Sequence, residues 1–388
     1  MWTGRHRQPH YTPRVGKRVL VVDHALPTPD RDAGSACTRS HLQILTGAGF
    51  DVTFVAPETS PHDPYARALS DLGIAVPEVR DGEDLRDAVE RLAPRCDVVL
   101  LYRAPLADRV LDRLREVASS TKVIFLPVDL HHVRMAREAA IGLWDTAPSA
   151  EMRSLELDLV RRADATVVVS TVEQELLEEA VPGTKVHTVP ILRETPPAGR
   201  RADVHVPPSR RRDIVFLGGF AHSPNVDAVH WVVAEVLPRV RAAGVHDRFV
   251  VAGYGAPESF SALAQDDVLV AGHVPDLADV FATARMSVVP LRIGAGFKGK
   301  IVSSFSFGVP VVTTSVGAEG GGLVDGYDVL IADEPDALAA HIVRLSRDDK
   351  VWQRMSEAAY ETFRTRFSLE SGGSKLVSIV SGLADPGR

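Results

Sequence analysis

Short apolar runs alternate with longer amphipathic stretches along nearly the whole chain. RVLVVDH (18–24), DVTFVAP (51–57), DVVLLYR (97–103), KVIFLPVD (122–129), ATVVVS (165–170) and KVHTVPI (185–191) are brief and almost continuously apolar. They predict buried parallel strands, which are covered on both faces and so lack the alternation of a half-exposed strand. Between them, SHLQILTGAG (40–49) and LADRVLDRLREVA (106–118) place apolar residues at helical spacing. Ser170 followed by Glu173 predicts a capping box at the start of TVEQELLEEA, a pairing read as local helix stability alone.

The rhythm breaks over 193–212, RETPPAGRRADVHVPPSRRR, where four prolines and six arginines show no apolar periodicity and predict a linker. It restarts with DIVFLGG (213–219), DRFVVAGYG (247–255), DVLVAGHV (267–274), MSVVPL (286–291), VPVVTTS (309–315) and DVLIAD (328–333). The expected fold class is α/β: two Rossmann-like domains, 17–192 and 213–366, facing across a cleft. A C-terminal segment, 367–388, is expected to form a helix packing back on the first domain. Open parallel sheets bind ligands at the carboxyl ends of their strands, so the cleft is where chemistry is expected. Residues 1–16 carry basic residues with no apolar stretch behind them; they read as a flexible basic tail, not a signal peptide.

Composition narrows the function classes. At 388 residues with 45% hydrophobic content the chain can bury two cores. A net charge of −7 argues against a nucleic-acid-binding face, and the scattered arginines read as solvated surface. The two cysteines, Cys37 and Cys96, fit neither a disulfide framework nor a metal-ligand spacing, so a reducing cytoplasm is the expected setting. No apolar run is long enough to span a bilayer. The basic tail offers contact with acidic headgroups at the inner membrane face.

The segment GAGFKGKIVSSFSFGVP (294–310) carries the most chemistry. A glycine turn with two lysines feeds a short helix that stops at Gly308 and Pro310. Backbone N–H groups, the positive end of a helix dipole, Lys298 and Lys300 together suit a diphosphate. The alternative for this segment alone is a βα loop with solvated lysines. An NAD-dependent dehydrogenase would need G-x-G-x-x-G after the first strand; RVLVVDH runs instead into ALPTPDRDAGS.

The C-terminal half resembles the nucleotide-sugar-binding domain of family 4 glycosyltransferases, which have the two-Rossmann GT-B fold. The matching segments are FLGGFAHSPNVDAVHWVVAEVLP (216–238), VAGYG (251–255), VAGHVPDLADVFATARMSVVPLRIGAGFKGKI (270–301) and GVPVVTTSVGAEG (308–320). The N-terminal half is similar to a bacterial subgroup of that family through VVDHALPTPDRDAGS (21–35), VDLHHVRMAREA (128–139) and ADATVVVSTVEQELL (163–177). The resemblance implies a retaining transfer of a sugar from a nucleoside diphosphate donor to an acceptor hydroxyl, with no metal or other cofactor required. The acceptor, whether a small molecule, a glycan or a lipid-linked group, is left open.

The resemblance also implies site residues. The donor diphosphate would lie against Gly294, Gly296, Lys298 and Lys300. Gly218, Gly219 and Asn225, after the first strand of the second domain, would border pyrophosphate and sugar. Gly34 and Ser35, at a helix start in the first domain, would face phosphate from the other side. His131 would stand near the donor sugar as the catalytic histidine, with Asp129 fixing its tautomer or contacting the acceptor, and His132 structural. Arg134 and Glu138 are expected only to pair with each other. The family carries two glutamates around the glycine turn and its helix, yet residues 294–308 contain no acid and Ser303 stands at the second position. Glu319, in GAEGGG, is the nearest carboxylate for the cleft. Two other readings stay open: a nucleotide-sugar epimerase of the same fold, and a degenerate, non-catalytic nucleotide-binding member.

Overall fold

The structure, a computed structural model, describes residues 16–79, 84–140, 147–197, 207–264 and 266–385. The expected basic tail (1–16) lies outside the described residues except at Gly16, and the expected linker (193–212) is described only over 193–197 and 207–212.

Each apolar run of the sequence contains a strand. In the first half, β1 (Arg18–Val22), β2 (Asp51–Val55), β3 (Val98–Tyr102), β4 (Lys122–Leu126), β5 (Ala165–Val168) and β6 (Val186–Thr188) form one parallel sheet, order β2-β1-β3-β4-β5-β6. In the second, β7 (Asp213–Leu217), β8 (Phe249–Ala252), β9 (Val268–Gly272), β10 (Ala284–Val289), β11 (Val311–Thr313) and β12 (Val329–Ile331) form another, order β12-β11-β10-β7-β8-β9. Continuous apolar runs are needed because both faces are covered. Along β3, Val99 and Leu101 enter one core, while Val98, Leu100 and Tyr102 enter the core on the opposite face. The strand order reverses beside β1 and beside β7, and the loops that leave these switch points meet across the cleft.

The chain crosses between the domains twice, and the crossings are paired. Arg193 N–H donates to the Phe367 carbonyl (2.9 Å), and Leu369 N–H donates back to the Arg193 carbonyl (3.1 Å). The helix Leu369–Ala384 then lies on the N-terminal domain, where Leu376 and Val380 share a core with Leu42 and Leu45. Not all arginines are solvated surface. Arg211 and Arg285 are each only 1% exposed; Arg211 donates to the carbonyls of Phe281 and Ala284 (3.0 Å each). Arg285 pairs with Asp349 (2.7 Å), and both guanidinium groups lie against Trp352. Carbonyl acceptors and an aromatic face make such burial tolerable for a delocalised cation. Among the described residues no helix is long and apolar enough to cross a membrane.

Candidate active site

The glycine turn after β10 leads into the helix Gly299–Ser306, with Lys298 at its N-cap and Gly308 (φ +68°) ending it. Gly294 (φ +147°) and Gly296 (φ +64°) hold backbone conformations that side-chain-bearing residues avoid. This geometry folds the turn back, so that the Lys298 ammonium donates to the carbonyls of Ala295 (2.9 Å) and Gly296. Lys300 reaches the other way, donating to Asn225 Oδ1 (2.5 Å) and sitting 4.4 Å over the Phe216 ring. Asn225 in turn donates to the Gly219 carbonyl (2.7 Å). Lys300, Asn225 and Gly219, distant in sequence, thus form one chain at the carboxyl ends of β7 and β10. Gly218 sits in a tight place: a Cβ there would approach the side chains of Asn225 and Phe216 to 3.0 Å.

The two lysines are poorly compensated. Burial pushes Lys298 down to about 8. Burial and then the charge of Lys298 push Lys300 down to about 7. Carbonyl and amide oxygens are their hydrogen-bond partners in this structure, so an anion placed between them would restore their full charge. Ser303 lies one turn beyond Lys300 and is 7% exposed.

Across the cleft, the loop after β4 holds Val128, a β-branched residue at φ +75°, followed by Asp129. Such a conformation is strained and persists only where the surroundings impose it. His131 Nε2 faces Asp129 Oδ1 at 3.2 Å, and Arg134 Nε donates to Asp129 Oδ2 at 3.0 Å. Burial alone would raise the Asp129 carboxyl, but hydrogen bonds and charge from His131 and Arg134 hold it well below the usual carboxylate range. Behind this turn the wholly buried Glu156 accepts from the backbone N–H groups of His131 (2.8 Å) and His132 (3.2 Å), and its carboxylate also meets the His132 ring. A carboxylate at the start of the helix His131–Ala140 satisfies orphan N–H groups and the helix dipole together. Arg134 and Glu138 do more than pair with each other: Arg134 serves Asp129, and Glu138 accepts from Ser223 of the other domain (2.7 Å).

The helix start expected to contact phosphate is already engaged. Asp32 caps the helix Ala33–Gly47, accepting from Ser35 N–H (2.8 Å) and Ser35 Oγ (2.6 Å). At Gly34 a Cβ would sit 2.8 Å from Arg103 Nη2, so glycine there makes room for an arginine. The Ser35 N–H and hydroxyl are thus both engaged by Asp32 within the N-terminal domain. Asp30-Arg31-Asp32 is an Asp-x-Asp spacing, a metal-binding signal that sequence reading passed over. Its first carboxylate accepts from Tyr65 (2.9 Å) and faces His273 of the other domain (3.2 Å).

Glu319 does face the cleft, but an N-terminal residue holds it. Arg137 donates to both of its oxygens (2.6 and 2.8 Å) and to the Gly294 carbonyl (2.5 Å), which keeps the Glu319 carboxyl below its ordinary value. This bidentate pair joins the domains directly over the glycine turn. Because it is partly exposed, a double-mutant cycle on unfolding with Arg137→Ala and Glu319→Gln should show a small but measurable coupling, about 0.2–1 kcal/mol. Strict additivity would mean that the pair does not hold the domains together in solution. Sequence reading missed Arg137, Glu173 and His222, which reach the cleft only through tertiary packing. His222, after β7, is lowered by burial and lies within the electrostatic reach of Asp129 and Lys300.

Residues 211–348 match the family described as glycosyl transferases group 1. No curated protein sequence is significantly similar to the chain. Among solved structures, sucrose-phosphate synthase from Thermosynechococcus elongatus has 16% identity and a TM-score of 0.72, over 95% of this chain and 99% of that one. A glycosyltransferase from Rickettsia africae has 14% identity and a TM-score of 0.70, over 95% and 98%. Anabaena HepE in complex with UDP-glucose has 12% identity and a TM-score of 0.71, over 95% and 100%. At these identities the structural likeness is one of fold, and it extends across both domains. The C-terminal domain thus matches the group 1 glycosyltransferases, and the GT-B fold extends over the whole chain.

Proposed function

We propose that the protein transfers a sugar, with retention, from a nucleoside diphosphate donor to an acceptor hydroxyl in the cleft between its sheets. The carrying observation is the opposition of two desolvated lysines at a helix start, Lys298 and Lys300, to the Asp129–His131 turn. The bond from the anomeric carbon to the β-phosphate oxygen breaks, its electron pair leaving with the diphosphate. The acceptor oxygen bonds that carbon from the same face, and its proton passes to the departing phosphate oxygen. Lys298, Lys300 and the N–H groups opening the helix stabilise the charge that develops on the leaving group. In this reading the lysines and the helix dipole take the place of a metal. His131, oriented by Asp129 through Nε2, stands beside the donor sugar. Ser303 offers the ribose a single hydroxyl where a carboxylate would give a stronger bidentate contact.

UDP is the first nucleotide to test, because HepE is known in complexes with UDP and with UDP-glucose. In a thermal-shift series across UDP, GDP, dTDP and ADP, one nucleotide should raise the melting temperature well above the others. At 100 times its dissociation constant, a ligand that binds only the folded state stabilises it by about 2.7 kcal/mol. A flat response to all four at millimolar concentration would contradict the donor assignment.

A further inference from the structure

The start of the helix Thr171–Ala180 is where the N-terminal domain touches both loops of the donor site. A Cβ on Gly296 would lie 3.0 Å from Glu173 Oε1, and one on Gly320 (φ +73°) would lie 2.5 Å from Ser170 Cβ. Both contacts exist because both positions are glycine. Glu173, 4% exposed, accepts from the Leu130 N–H through Oε1 (3.3 Å) and from the Ser170 hydroxyl through Oε2 (3.0 Å). Leu130 sits between Asp129 and His131, and Gly296 supplies a carbonyl that holds Lys298. A single carboxylate therefore touches the turn bearing the histidine and the turn bearing the lysine.

Helix capping explains only the Ser170 contact. Ser170 Oγ already accepts from the Glu173 N–H (3.2 Å), which satisfies the helix start, and a capping-box glutamate would turn its side chain back to the N-cap N–H. Here the carboxylate points to Leu130 and into the interface. It borders a small pocket whose wall also includes Arg137, Ala295 and Glu319. In a chain whose glycine turn has no acid of its own, Glu173 brings one to that turn from the other domain.

We propose that Glu173 is a positioning residue for sugar transfer, holding the His131 turn and the glycine turn in register when the cleft is closed. The proposal rests on the proposed function above. The charged groups around it are Asp129 on the β4 loop, Arg137 on the following helix, Lys298 on the glycine turn and Glu319 after β11. Burial, then the Asp129 charge, push its carboxyl up to about 7, against the pull of Ser170, the Leu130 N–H and Lys298. Its charge is present above that pH and lost below it.

The test uses the full-length protein, with UDP-glucose as donor, water as acceptor and UDP release as the readout, alongside UDP affinity by calorimetry. Glu173→Gln should lower kcat about tenfold or more, leave KM for UDP-glucose within about twofold and keep the parental melting temperature. At saturating UDP-glucose, where donor binding no longer limits, the wild-type rate should fall as pH drops through about 7. The variant should lack that limb. Ser170→Ala, which removes the cap but leaves the Leu130 contact, should lower the melting temperature with a smaller effect on kcat. The proposal is overturned if Glu173→Gln keeps the parental kcat or the acid limb, or if loss of rate tracks loss of stability in both variants. A wild type that binds UDP while the variant behaves normally removes the role of Glu173 alone. A wild type that responds to none of the four nucleotides and releases no UDP from UDP-glucose removes the donor reading, and the positioning role with it.

Discussion

Alanine at His131 should cost about 10²-fold or more in kcat while leaving the melting temperature and nucleotide affinity near their parental values. That is the usual scale for a positioned side chain acting in the chemical step, and kcat and kcat/KM should fall together. The expectation follows from how the residue is held. Its ring faces Asp129, and its backbone is anchored by Glu156, so the side chain can be removed without unfastening the turn. His132 should behave in the opposite way. It is 6% exposed and its ring meets the carboxylate of Glu156, which is 0% exposed, so His132→Ala leaves a buried carboxylate short of a partner. A loss of about 1–3 kcal/mol of stability is expected, with activity of the folded fraction largely kept. Steady-state kinetics and thermal denaturation on the two variants separate the roles. Parental turnover in His131→Ala would remove it from the chemistry.

The second large effect is expected at the lysines. Replacing Lys298 and Lys300 together with alanine should weaken UDP binding by about 1.5–3 kcal/mol for each charge-assisted hydrogen bond to phosphate, a fall of about 10²-fold or more for the pair. Their burial adds a pH signature. In the free protein Lys298 and Lys300 are lowered to about 8 and about 7, and a bound diphosphate raises both again. Binding therefore takes up protons above neutral pH. Affinity should be highest where both lysines are already charged, below about 7, and should fall as pH rises through 7 to 9. Calorimetry across that range, in wild type and in the double variant, should show the slope in the former and its disappearance in the latter. An unchanged affinity in the double variant would sink the phosphate assignment.

The architecture was legible because parallel strands covered on both faces leave a local signature. Every run of the type VVLLY or MSVVPL became a strand. The glycine turn was legible for the same reason: glycines at left-handed positions, two lysines and a helix start lie within a few residues of one another. What could not be read is what the fold brings together from afar. Ser170 and Glu173 carry a capping signal, and local reading stops there, yet the carboxylate is turned into the other domain because Gly296 leaves room for it. Arg137 looked like one more charge on an amphipathic helix until Glu319, from another domain, closed on it. Ser35 was placed at a helix N-terminus correctly, but its N–H and hydroxyl are both taken by Asp32, the cap that makes the helix start there. Arg211 and Arg285 read as surface because nothing local announces the carbonyls and the indole that receive them.

The most direct test of the donor site is a crystal structure of the protein grown with UDP. The β-phosphate should lie at the start of the helix Gly299–Ser306, with the Lys298 and Lys300 ammonium groups turned from their present oxygen partners to within about 3 Å of phosphate oxygens, and His131 facing the space beyond it. A nucleotide bound elsewhere, with Lys298 still on the Ala295 and Gly296 carbonyls and Lys300 still on Asn225, would contradict the site described here.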